Sequence, residues 1–158
     1  KWPEARSHHT CVVFEDAGSS PKIIMFGGFR SSSIRYNDVW ILDTATDTWE
    51  QPRAGLTETK ADGNVEFKAT WQDVPLPRGA HSACIMNSSQ MFVFGGYGGS
   101  GFARRDFNDI HVLDLGVWEW RVIETEGEAK PPARSGQGGQ HARRDGGAAL
   151  AAARDPTH

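Results

Sequence analysis

Ile23-Ile-Met-Phe-Gly27-Gly28 and Met91-Phe-Val-Phe-Gly95-Gly96 are two copies of one pattern, four apolar residues closed by a glycine pair. The same neighbours flank both copies. Upstream, Arg6-Ser-His-His9-Thr-Cys-Val-Val-Phe matches Arg78-Gly-Ala-His81-Ser-Ala-Cys-Ile-Met. Downstream, Tyr36-Asn37-Asp38-Val-Trp-Ile-Leu-Asp43 matches Phe107-Asn108-Asp109-Ile-His-Val-Leu-Asp114, and Thr48-Trp49-Glu matches Glu119-Trp120-Arg. Recurrence of several segments in fixed order marks a repeat architecture. A third copy opens at Pro131-Pro-Ala-Arg134-Ser-Gly and then fades.

Each segment is short, rich in Val, Ile, Phe and Trp, and bounded by Gly, Asn, Asp, Ser or Pro, which predicts a strand. The expected strands are A (8–14 and 80–86), B (22–27 and 90–95), C (37–43 and 108–114) and D (48–52 and 118–123). Strand B is apolar at successive positions, so both of its faces are covered. Short connections make A to D an antiparallel meander. The glycine pairs end strand B where positive φ or close backbone approach is needed. Trp49 and Trp120 sit on strand D, where a large ring covers the flank of the sheet. Asn-Asp opens strand C, where short polar side chains bond nearby backbone.

This order of Arg-x-x-His-Ser/Thr, apolar-Phe-Gly-Gly, Asn-Asp-Val/Ile-x-x-Leu-Asp and Trp resembles the kelch repeat, over residues 6–49 and 78–120 with an echo at 131–136. The resemblance implies an all-β fold, a partial kelch-type β-propeller of two four-stranded antiparallel blades. It also implies a protein-binding module, since most such propellers act as scaffolds or adaptors and only a few are enzymes.

The repeat divides the chain into the end of a preceding blade (1–5), a first blade (6–77) with an insertion at about 50–70, a second blade (78–130), and the start of a third repeat (131–158). The last part runs into a flexible Gly/Ala/Arg-rich tail. The interval from Trp49 to Arg78 is about twice that from Trp120 to Arg134. It holds the turn signal Lys60-Ala-Asp-Gly-Asn-Val and a second tryptophan, Trp71. Either it is a long D–A loop after a strand at Trp49, or residues 48–53 and 67–73 pair as an extra hairpin; the alternation of Phe67-Lys-Ala-Thr-Trp71 favours the hairpin. Two blades leave two apolar sheet faces open, and repeat units need neighbours to bury theirs. Further blades from the parent chain or another subunit are therefore expected.

The bulk numbers agree with a soluble interaction module. Net charge is −3, too small to imply a nucleic-acid or membrane partner. The charge is uneven: the tail carries Arg134, Arg143, Arg144 and Arg154 against Asp145 and Asp155, whereas the rest is acidic. Cys11 and Cys84 lie in apolar runs and are expected as buried free thiols, which points to a cytoplasmic, intracellular setting. No stretch approaches the roughly 20 apolar residues of a membrane span.

The meander places the B–C and D–A loops on one face. The B–C loops, 29–36 and 97–107, carry Arg30, Arg35, Arg104 and Arg105, with Tyr97 and Phe102 beside glycines. Arginine and tyrosine are common binding anchors, and Arg forks match carboxylates. These six residues are the candidate partner-binding set, and an acidic peptide segment is the leading partner. The D–A loops on that face add Glu58, Asp62, Glu66, Glu124, Glu126 and Glu128, so its charge is mixed. Gly27, Gly28, Trp49, Gly95, Gly96 and Trp120 are expected in structural roles. No nucleophile elbow, phosphate loop or Cys/His metal spacing appears, so neither catalysis, a metal nor a cofactor is expected. The alternative is a fragment of a propeller enzyme, or of a multidomain enzyme, with its catalytic groups outside this chain. Tyr36 and Tyr97 lack the cysteine and histidine partners that a copper-radical oxidase of similar fold requires.

Overall fold

A computed structural model describes residues 2–52, 58–59, 65–66, 73–99, 103–126 and 131–136. The first sheet is β1 (Thr10–Phe14), β2 (Lys22–Phe29), β3 (Arg35–Asp43) and β4 (Thr48–Glu50), in that spatial order and antiparallel throughout. A short pair follows, β5 (Glu58–Thr59) with β6 (Val65–Glu66). β7 (Arg78–Gly79) leads into the second sheet, β8 (Ser82–Met86), β9 (Gln90–Phe94), β12 (Ile110–Asp114) and β13 (Glu119–Ile123), again in chain order. Between β9 and β12, β10 (Tyr97–Gly98) pairs with β11 (Arg105–Asp106) on one side and β7 on the other. These are two four-stranded meanders, the blades of a partial propeller.

Register assigns each side chain to a face. Val12, Ile24 and Ile41 stand opposite one another across β1, β2 and β3, as do Phe26 and Val39. This face meets Met91, Val93, Leu113 and Trp120 of the second blade in one buried cluster. Phe26, Ile24, Ile41, Met91, Val93 and Leu113 are fully buried. Each such side chain is worth about 1.5–3 kcal/mol of burial, so the seam between the blades is the main apolar core. The Phe26 and Trp120 rings meet across it with centroids 5.1 Å apart.

Strand D of the first blade is at Trp49, which pairs with Leu42. Within the insertion, the described ladder is Glu58–Thr59 with Val65–Glu66, bracketing the Lys60–Asn64 turn signal. The 67–72 half of the expected hairpin, with Trp71, lies outside the described residues. So does the tail beyond 136.

The thiols correct one expectation. Cys11 and Cys84 are free but exposed, not buried. Both sit mid-strand on the face of their sheet turned away from the seam: Cys11 is opposite Met25, and Cys84 opposite Phe92. Apolar flanking residues announced a strand but not which side of the two-blade stack each thiol occupies. The compartment expected from buried thiols loses that support.

Candidate functional site

The loop face is built on an interlock that recurs with the repeat. Arg6 lies under the first blade, its guanidinium forked onto both carboxylate oxygens of Asp38 and donating to the Gly27 carbonyl at 3.1 Å. Arg78 does the same in the second blade, reaching Asp109 at 2.6 and 2.9 Å and the Gly95 carbonyl at 3.0 Å. Arg78 is fully buried. Each guanidinium also covers the ring that precedes Asn-Asp, Tyr36 at 3.8 Å and Phe107 at 4.1 Å. Burial alone would raise the Asp109 carboxyl; the Arg78 and His111 hydrogen bonds and the Arg78 charge outweigh it and hold the group well below the usual carboxylate range.

The remaining repeat signals tie one blade to the next. Asn37 Nδ2 donates to the Pro75 carbonyl at 3.2 Å, and Asn108 Nδ2 to the Pro131 carbonyl at 3.4 Å. Gly27 and Gly95 have φ of 65° and 66°. A Cβ on Gly27 would stand 2.6 Å from the Arg78 carbonyl oxygen, and one on Gly95 would stand 2.8 Å from that of Arg134. Gly28 and Gly96 have positive φ as well. Trp120 is buried in the seam, while Trp49 is half-buried on β4. The echo at 131–136 is seated on the second blade: Arg134 N–H donates to the Phe107 carbonyl, Gly96 N–H to the Arg134 carbonyl, and Gly136 N–H to the Ala80 carbonyl.

Above this interlock the two B–C loops enclose a cleft of about 400 Å³. Arg30, Arg35, Tyr97 and Arg104 line it, together with Phe29 and the serines Ser7, Ser31 and Ser32. Four of the six candidate residues are thus brought together. Arg105 is not among the lining residues, and its guanidinium lies 5.6 Å from the Phe107 ring centroid. Phe102 lies outside the described residues. Of the D–A loop acids, Glu124 and Glu126 are exposed and are not among the lining residues; Asp62, Glu128 and the side chains of Glu58 and Glu66 lie outside the described residues.

The three cleft arginines differ in state. Arg30 donates to Glu4 Oε2 at 3.0 Å, and the Tyr36 hydroxyl donates to the same oxygen at 2.7 Å. That bond is the first cause raising the Tyr36 hydroxyl above its ordinary pKa. Arg35 sits between two rings, 5.5 Å from the centroid of Phe29 and 5.6 Å from that of Tyr97, with a buried Nε that has no hydrogen-bond partner. Among the described residues neither Arg35 nor Arg104 has a carboxylate partner. The cleft is therefore cationic, with one guanidinium held in place by aromatic faces and serine hydroxyls beside it. Sequence reading missed Phe29, the serines and Glu4. Phe29 follows the first glycine pair where Tyr97 follows the second, a repeat-position signal that was available; nothing local marked Glu4. Among the described residues no group of three or more His, Cys, Asp or Glu is placed to hold a metal ion.

Comparison with known proteins gives the same frame. The KLHDC2/KLHL20/DRC7 Kelch-repeats domain matches residues 63–143, and the Kelch motif matches residues 19–53. The dynein alpha chain of the flagellar outer arm of Chlamydomonas reinhardtii is 31% identical over 133 residues, 83% of this chain and 2% of that protein. Human host cell factor 2 is 36% identical over 97 residues, 60% of this chain and 10% of that protein. Mouse kelch domain-containing protein 1 is 30% identical over 149 residues, 80% of this chain and 30% of that protein. The chain thus spans less than a third of the length of each of these relatives. With its repeated Arg–Asp interlock, its glycine pairs and a domain match over half its length, the chain belongs to the kelch-repeat family.

Proposed function

We propose that this chain is the part of a kelch propeller that binds another protein, through the face formed by its B–C loops, with an acidic segment of the partner entering the cleft. The observation that carries this reading is the pair Arg35 and Arg104, which line one cleft from different blades and have no carboxylate partner among the described residues. A carboxylate between them completes hydrogen bonds that the fold leaves open, and Tyr97 and Phe29 supply apolar contact for the flanking chain. The role is non-catalytic. Further blades, from the parent chain or another subunit, complete the propeller by covering the outer sheet faces that carry Cys11 and Cys84.

Fluorescence titration with a labelled glutamate-rich peptide at low salt tests the cleft. Arg35→Glu with Arg104→Glu is expected to weaken binding by tenfold or more; Arg104→Glu alone, at an exposed side chain, is expected to weaken it several-fold while leaving stability within about 0.5 kcal/mol of wild type. Undiminished binding by a folded double variant places the partner elsewhere.

A further inference from the structure

The cleft between the B–C loops holds more positive charge than one carboxylate can answer. Arg35 and Arg104 line it without a carboxylate partner among the described residues, so two guanidinium charges share one space of about 400 Å³. The third, Arg30, is paired only with Glu4, and the two side chains are 58% and 60% exposed. Such a pair is held weakly against solvent. The hydroxyls beside these cations are not equivalent. Ser31 Oγ accepts the Ser33 and Ile34 N–H groups at 3.3 and 3.2 Å and so pins the loop tip. Ser7 Oγ lies 3.0 Å from His8 Nδ1. Ser32, exposed on the cleft wall, has no hydrogen bond among the described residues. Arg35, Arg104 and Ser32 are thus three donor groups, from two blades, around one opening. A carboxylate brings one negative charge and two oxygens. A phosphomonoester at neutral pH brings close to two charges and three terminal oxygens.

We propose that the cleft takes a phosphorylated segment of the protein partner, with the phosphate between Arg35 and Arg104 and the Ser32 hydroxyl donating to its third oxygen. The inference rests on the cleft being the binding site and names the chemistry read there. One dianion neutralises both unpaired guanidiniums, which a single glutamate does not. Arginine suits the task because its planar fork meets two phosphate oxygens at once. The Arg35 guanidinium is already flanked by rings, 5.5 Å from the Phe29 centroid and 5.6 Å from that of Tyr97, so it loses little freedom when the anion arrives. The same rings give the chain on either side of the phosphate an apolar surface to lie on. A membrane headgroup carries the same phosphate chemistry, but the charge argues against it. The chain is net negative at −3, and three arginines line the cleft, whereas anionic bilayers are bound by clusters of about four to eight Lys or Arg.

Fluorescence titration of the full chain with three labelled acidic peptides, identical except for a central glutamate, serine or phosphoserine, reads the proposal. At pH 7.5 the phosphoserine peptide is expected to bind about tenfold tighter than the glutamate peptide, the gain of one further charge-assisted hydrogen bond. That advantage is expected to shrink at pH 5, below the second pKa of the phosphate at about 6. Phosphoserine binding no tighter than glutamate at pH 7.5 overturns the inference and leaves the acidic-segment reading standing; binding of none of the peptides removes both. Arg104→Glu, at an exposed side chain, is expected to erase the preference, and a preference that survives it puts the phosphate elsewhere and overturns the assignment. Two competitors separate the sources of phosphate. Inorganic phosphate that displaces the labelled peptide as well as unlabelled phosphoserine peptide does would reduce the cleft to an anion site. Phosphatidylcholine vesicles carrying a phosphoinositide that displace it better, at equal phosphate, would assign the cleft to a membrane. Either result overturns the phosphorylated segment.

Discussion

Gly27 and Gly95 show how one missing methyl group sets the distance between blades. Each has a φ that side chains rarely adopt, and each has the next repeat's arginine carbonyl where a Cβ would go. Gly18 shares the positive φ, 84°, but has nothing within 4 Å of its Cβ position. Gly18→Ala is therefore expected to cost roughly 1–2 kcal/mol, the conformational penalty alone. Gly27→Ala is expected to cost clearly more, because the Arg78 backbone must move. Urea midpoints of the two variants check this, and equal losses would show that the close approach carries no energy. Arg78→Met belongs to the same level. It leaves the partly exposed Asp109 carboxylate without its fork; the cost is expected to stay below the roughly 3–5 kcal/mol of a fully buried pair, because water reaches the carboxylate that remains.

The Pro131–Gly136 segment is held on the second blade by its backbone bonds and by Asn108. Asn108→Ala removes one hydrogen bond, worth about 1 kcal/mol. The expected outcome is a several-fold faster tryptic cut after Arg134 with little change in global unfolding. An unchanged cleavage rate would mean that the backbone bonds alone hold the segment. Glu4 illustrates the same scale of control over the cleft: Glu4→Gln frees Arg30 of its carboxylate and is expected to strengthen glutamate-peptide binding modestly, since exposed pairs are worth about 1 kcal/mol or less.

Acid sensitivity is a property of the seam taken together. His81 reaches across it to Thr10, 2.8 Å between Nε2 and Oγ1, and stacks edge-on against Phe26. Burial, with the charges of Arg78 and His9 adding to it, pushes its pKa down from 6.5 to about 3. An unfolded His81 takes up its proton near 6.5 and the folded one does not until about 3. Its contribution to stability is complete above pH 6.5 and is lost as pH falls from there toward 3. Asp109, with its folded pKa depressed below 3.8, extends the loss at still lower pH. Denaturant titrations at pH 7, 5 and 4 should show this slope, and His81→Gln should flatten it. Both thiols are expected to react with a maleimide in the folded chain because each faces outward. Partial burial raises their pKa values and slows the reaction. In a longer chain with a further blade beyond the second, Cys84 should become protected.

Strands, their order and the phase of the repeat were legible in the sequence, because each depends on residues within a few positions of one another. Apolar runs, glycine pairs and Asn-Asp openings recur with Arg6, Arg78 and Arg134 at equivalent places. The arginine-rich B–C loops were legible for the same reason. Which arginines share a cleft was not. Arg35 and Arg104 meet because two sheets pack at one distance and twist, whereas Arg105, adjacent in sequence, turns onto Phe107. The interlocked Arg–Asp pairs likewise join groups about 30 positions apart, and the outward thiols depend on how one sheet packs on the next. Sequence periodicity sets which face of a strand a side chain takes; only the packing of one blade on the next decides what waits on that face.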